Sequence, residues 1–279
     1  MVKKIKEILF VLLFLVCYNF VGEIMKQKIV VLVSCHKPSK MLRTKYIMPI
    51  QVGCAFKKER FENCLYDDHF ENISQKNKRY CELTAQFWAW KNIDAQSYGF
   101  FHYRRYLSID TKYHLKQKLD CLNDKVIKKY KLNDESLEKL MNKYDVIVPH
   151  RALVWNNYSQ YKKSKGHHIR DLDFCLDVIK NDYPEIYPSA QKYMKSKLAY
   201  FCNMFIMKKD IFNSYCTWLF DILEKHEKKF DCADYALYDY RVSGFLAERL
   251  AGIYFTYLKS LKKYKFRKAQ TLMFKNTDL

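Results

Sequence analysis

The stretch "KIVVLVSCHKP", residues 28–38, constrains the fold more than any other. Ile29 to Val33 are all apolar, mostly β-branched, and show no alternation. A strand with one wet face alternates with period two. A continuous run suits a strand covered on both faces, as in a parallel sheet between layers of helices. The run stops at Ser34, Cys35, His36, Lys37 and Pro38. Ligands bind at such strand ends in open α/β sheets, so His36 and Lys37 are candidate donor-binding residues. The plainer reading of the pair is a solvated turn.

Two more runs have the same character. "YDVIVP" (144–149) is a short buried strand closed by Pro149. "YGFFHYRRYL" (98–107) starts as one and then meets a histidine and two arginines. Two-residue alternation puts His102 and Arg104 on one face and Arg105 on the other. Arginine is rarely buried unless it is paired or holds an anion. This strand is therefore expected to leave the core and deliver His102, Arg104 and Arg105 to a polar cleft; an exposed edge strand is the alternative. If it lies beside the first strand, both ends converge on one anion site.

Helical patterns separate the runs. Residues 80–93 carry Leu83, Phe87 and Trp90 on one stripe, with Trp88 off it. Residues 112–143 read as two helices broken near Asn133–Asp134, and 150–168 as a long polar loop. Residues 167–184 read as a helix, 201–226 as a strand and then a helix, and 234–255 as a last helix broken near Gly244. Buried strands alternating with helices predict an α/β domain with a mainly parallel sheet flanked by helices. We divide the chain into 1–24, an apolar extension or anchor, 25–257, the main domain, and 258–279, a basic tail expected to favour anionic membrane surfaces.

Net charge is +20. It fits either a lysine-rich solvated surface or anionic partners such as phosphates, nucleic acid or acidic headgroups. The ten cysteines form no C-x-x-C and no zinc-type cluster, which points to a reducing, cytoplasmic setting. The basic start and the apolar run Ile8–Val16 resemble a signal or a short anchor. The run is short for a full span, and no A-x-A-like cleavage site follows. An upstream translation extension or a membrane-surface anchor is expected for residues 1–24, with export as the alternative.

No P-loop, dinucleotide-binding or nucleophile-elbow motif is present. Asp171 and Asp173 form a D-x-D inside a helical pattern. There they point about 200° apart, so they do not face one ion. The positive evidence is for anion binding by paired cations.

The blocks "YCELTAQFWAWKN", "GFFHYRRYL", "YDVIVP", "NMFIMKKDIFNSYCTWLFDIL" and "GFLAERL" follow in this order over residues 27–255. Together they resemble the bacterial family named domain of unknown function 4422, associated with capsular and exopolysaccharide synthesis. The resemblance implies a GT-A-like glycosyltransferase fold and transfer from a nucleotide-sugar donor to a lipid-linked glycan acceptor. The expected setting is the cytoplasmic face of the cell membrane. In the GT-A class a D-x-D usually holds Mn²⁺ or Mg²⁺ on the donor diphosphate. Here "HYRR" takes that place, so no metal ligand is assigned, and Mg²⁺ or Mn²⁺ is left as an open cofactor. Arg104 and Arg105 are expected to neutralise the leaving group. The resemblance makes Asn203 a sugar contact. It makes Glu248 or Asp234 the base on an acceptor hydroxyl; a surface charge paired with Arg249 or Arg241 is the other reading of Glu248. Nucleic-acid binding and an exported or anchored binding protein are the competing functions. Aromatics at core-like spacing argue against the first, and we expect no nucleic-acid partner.

Overall fold

The computed structural model describes residues 26–110 and 116–278. The readings made for residues 1–24 and 111–115 lie outside the described residues. The strands are β1 (Lys26–Cys35), β2 (Ile47–Gln51), β3 (Leu65–Tyr66), β4 (Asp94–His102), β5 (Arg105–Leu107), β6 (Gln117–Leu119), β7 (Val146–Pro149), β8 (Ala152–Leu153), β9 (Leu198–Ala199), β10 (Phe205–Lys208), β11 (Phe266–Ala269) and β12 (Thr271–Phe274). The helices are α1 (Asn77–Tyr80), α2 (Leu83–Asn92), α3 (Asp124–Lys129), α4 (Asp134–Lys143), α5 (Asn157–Lys163), α6 (Ile169–Asp182), α7 (Tyr187–Lys195), α8 (Lys209–Lys229) and α9 (Val242–Ser260).

The central sheet runs β11-β7-β10-β4-β1-β2-β3. Its pairings are parallel except where β10 runs against β4 and β7. The α/β architecture with a mainly parallel sheet is thus as expected, and β1, β4 and β7 sit where the three apolar runs placed them. Ile29 to Val33 are at most 1% exposed, because the sheet is covered on both faces. Val30 and Leu32 join the core that holds α2, α8 and α9. Ile29, Val31 and Val33 join the core that holds α4 and β12. Gly99 stands opposite Val31 and Ile206 in the sheet, where a Cβ would come within 2.9 Å of the Ile206 side chain.

Four sequence expectations are corrected. Residues 150–168 are not all loop: Asn156 caps α5, its side chain accepting from the Ser159 N–H at 2.7 Å. The last helix is not broken at Gly244. It runs continuously from Val242, and the missing Cβ lets it pack against Cys81. Residues 258–279 are not a free basic tail. α9 continues through Leu258 to Ser260, β11 pairs with β7 in the central sheet, and β12 pairs with β5 and β6. Alternating sheet contacts bury Ala269, Leu272 and Phe274, so this segment's first use is structural. The boundary at 257/258 therefore falls inside a helix. Lastly, β4 does not continue through 98–107.

Candidate active site

β1 and β4 are parallel neighbours, with Ser34 opposite His102 near their carboxyl ends. The Tyr103 N–H donates to the Ser34 carbonyl at 3.0 Å. The chain then reverses. His102 pairs with Arg105 across a turn made of Tyr103 and Arg104, and β5 runs back to pair with β12. His102 and Arg104 therefore do not share a strand face. Because β5 has its own partner to meet, the chain must turn, and the turn brings His102, Arg104 and Arg105 to one place.

That place is a cleft of about 660 Å³. Its floor is the end of β1 and β4, with Ser34, His36 and His102. Asn77, Lys78, Cys81, Glu82, Tyr238, Arg241, Phe245 and Glu248 complete the lining. Neither guanidinium of Arg104 and Arg105 makes a hydrogen bond or ion pair among the described residues, and the Arg104 Nε is buried without a partner.

Between the floor and α9 lies a strained turn. Cys202 (φ 76°) and Asn203 (φ 41°) are both in the left-handed region. For residues with a Cβ, this costs about 1–3 kcal/mol each unless the surroundings hold it. Here they do. The Cys202 N–H donates to Glu248 Oε1 at 2.8 Å. The Cys202 carbonyl lies 2.9 Å from His102 Nε2. A carbonyl only accepts, so Nε2 carries the proton. Asn203 Nδ2 donates to Glu82 Oε1 at 2.8 Å and to the Gly244 carbonyl at 3.1 Å. The turn thus fixes His102, Glu82 and Glu248 together. His102 Nε2 is 3.8 Å from Glu82 Oε1.

Burial raises the proton affinity of Glu248, against the pull of neighbouring Arg249. Burial lowers the pKa of His36, and Lys57 and Arg241 push it further down. Arg241 Nε reaches Cys81 Sγ at 3.2 Å, and its guanidinium lies over the rings of Tyr238 and Phe245. The loop that carries Arg241 is tied down by Arg79, which donates to the Phe230 carbonyl at 3.1 Å and to His226 Nδ1 at 3.0 Å. His226 Nε2 in turn meets buried Asp171 at 3.0 Å.

Of the residues singled out from sequence, His36, His102, Arg104, Arg105 and Glu248 line the cleft. Lys37 lies outside the lining and turns toward Asp278 and the Tyr103 ring. Asn203 is buried beneath the floor. Asp234 is exposed near Arg170 and is not part of the lining. Glu82, Arg241 and Cys202 were not anticipated. The break at Cys81 (φ 53°) that starts α2 at Leu83 and leaves Glu82 facing the cleft has no glycine to mark it.

Asp171 and Asp173 do not share an ion. Asp171 is engaged by His226 and Tyr235, and Asp173 accepts from Tyr158 at 2.8 Å. Among the described residues no three His, Cys, Asp or Glu side chains come together to hold a metal. The cleft carboxylates Glu82 and Glu248 already accept from N–H groups. The described residues therefore offer no all-protein cage for Mg²⁺ or Mn²⁺, while Glu82 and Glu248 each keep their second carboxylate oxygen outside those bonds.

The family described as Domain of unknown function (DUF4422) matches residues 30–260. A solved structure, the apo form of WbbM, a bifunctional glycosyltransferase, is 32% identical with a TM-score of 0.85. The match covers 90% of this chain and 46% of that one, so the chain spans about half of its relative's length. No curated protein compared with the chain matches it.

Proposed function

The chain belongs to the family of domain of unknown function 4422, and from that premise we propose that it is a glycosyltransferase. In this reading it moves a sugar from a nucleotide-sugar donor to a growing surface glycan carried on a lipid. The observation that carries the proposal is the pair Arg104 and Arg105, two cations at a strand-end cleft whose guanidinium groups make no close ion pair or hydrogen bond among the described residues, although Arg105 lies near enough to Glu248 to act on its charge. The likeness to a bifunctional glycosyltransferase supports it.

The chemistry follows from the groups present. The bond from the sugar's anomeric carbon to the diphosphate oxygen breaks, and its electron pair leaves with the diphosphate. Arg104 and Arg105 hold that growing negative charge by bidentate, charge-assisted bonds, the role a metal ion plays in related folds. Arg241, in the same lining, adds a third cation. The acceptor hydroxyl bonds to the anomeric carbon and gives its proton to Glu248, whose burial makes it a better base than a solvated carboxylate. His102, with Nε2–H committed to Cys202, positions a phosphate or sugar hydroxyl. The work is expected at the cytoplasmic face of the membrane, where nucleotide sugars and lipid-linked glycans meet.

A panel of nucleotide sugars tests this. Wild-type protein should slowly hydrolyse its donor and melt at higher temperature in its presence. Glu248→Gln should keep the thermal shift and lose the hydrolysis. If no nucleotide sugar shifts the melting temperature or is hydrolysed, the proposal fails.

A further inference from the structure

Leu153 and Trp155 are 79% and 81% exposed. Leu153 lies in, and Trp155 just beyond, the small two-stranded antiparallel sheet in which β8 pairs with β9, Leu153 opposite Leu198. Large apolar side chains this open, side by side, mark a surface that meets something. The surroundings say what. Residues 150–170 and 187–209 contain no Asp or Glu. Arg151 precedes the pair, the Val154 N–H donates to the Lys197 carbonyl at 2.8 Å, and Lys192, Lys195 and Lys197 are exposed. A recess of about 460 Å³, walled by Tyr158, Leu176, Tyr187 and Met194, adjoins this small sheet through Asn156 and Lys195.

We propose that this two-stranded sheet, with Trp155 beside it, is the face by which the protein docks on an anionic lipid bilayer. Leu153 and Trp155 enter the interfacial layer, where an indole is favoured, and the lysines meet headgroup phosphates. The lysine rim argues against a protein partner, since lysine is depleted at protein interfaces. The inference does not depend on the transferase chemistry.

The test uses the full chain with phosphatidylcholine vesicles, with and without phosphatidylglycerol, carrying brominated acyl chains that quench tryptophan. Trp88 and Trp218 are buried and Trp90 is half-buried, stacked on Phe220; because all three remain in the variant, the difference between wild type and Trp155→Phe isolates Trp155. Quenching of Trp155 is expected on anionic vesicles only. Leu153→Glu and, separately, Lys195→Glu with Lys197→Glu should each lower partitioning, the lysine pair by about fivefold per cation or more. Both sites are exposed, and unchanged thermal melting should show that the fold is kept. Three results would overturn the proposal: no binding, binding without Trp155 quenching (attachment elsewhere, residues 1–24 included), and equal binding to neutral vesicles. Trp155 shielded by self-association without vesicles would mark a protein interface and also overturn it.

Discussion

Replacing Arg104 by alanine should separate ligand binding from stability. The guanidinium makes no ion pair or hydrogen bond among the described residues, so its loss strands no carboxylate. Arg104 is half-buried but has no polar partner to strand, so the free protein should melt within about 1 kcal/mol of wild type. A charge-assisted bond to a diphosphate is worth about 1.5–3 kcal/mol, which is about 10- to 150-fold in nucleotide affinity. Arg249 provides the contrast within the same fold. It is 1% exposed, donates to Gln160 and the Tyr200 carbonyl, and lies 3.7 Å from Glu248. Arg249→Ala should cost about 3 kcal/mol of stability, because it leaves buried partners unpaired. Calorimetric titration with nucleoside diphosphates, beside urea melts of each variant, reads both quantities. Unchanged diphosphate affinity in folded Arg104→Ala would refute the phosphate role; an unfolded Arg104→Ala would make the residue structural.

Three further outcomes follow from the packing and charge. The folded-state pKa of Glu248 is raised by burial, so ionising it costs stability as pH rises from the ordinary carboxylate range through the raised value. Glu248→Gln keeps an acceptor for the Cys202 N–H and should flatten that part of the melting temperature against pH profile. Lys259, buried against Tyr200 and Phe266 and beside Arg151, is pushed down to about 8. Its charge is thus a burden below about pH 8 that is relieved as pH rises toward the ordinary lysine value, and Lys259→Met should raise the melting temperature at neutral pH and lose that slope. Gly252→Ala would place a Cβ 2.0 Å from Tyr193 Cζ; the Tyr193 hydroxyl accepts from the Tyr200 N–H and its ring is buried. A urea melt should show a loss of about 1–3 kcal/mol or more.

The strands were legible because continuous apolar runs have one good use, a sheet covered on both faces. Their neighbourhood was legible only as a condition: His36 and His102 share a cleft because β1 and β4 pair, and pairing is a long-range fact. The reversal at Tyr103–Arg104 was hidden because neither turn residue is the glycine or asparagine that usually announces one. β11 and β12 were hidden for a related reason. "FRKA" and "TLMF" mix charge and bulk without a strong period, and their strand identity comes from β7 and β5. Glu82 was not singled out, since no glycine or asparagine marks the kink at Cys81, which packs against Gly244 from a distant part of the chain.

A crystal structure of the chain soaked with its nucleotide-sugar donor, or with the matching nucleoside diphosphate, addresses the central claim most directly. The account predicts diphosphate oxygens at about 2.7–2.9 Å from a guanidinium of Arg104 or Arg105, with the anomeric carbon on the Glu248 side of the cleft. A diphosphate held elsewhere on this cationic surface, with the Tyr103–Arg104 turn left empty, would contradict it.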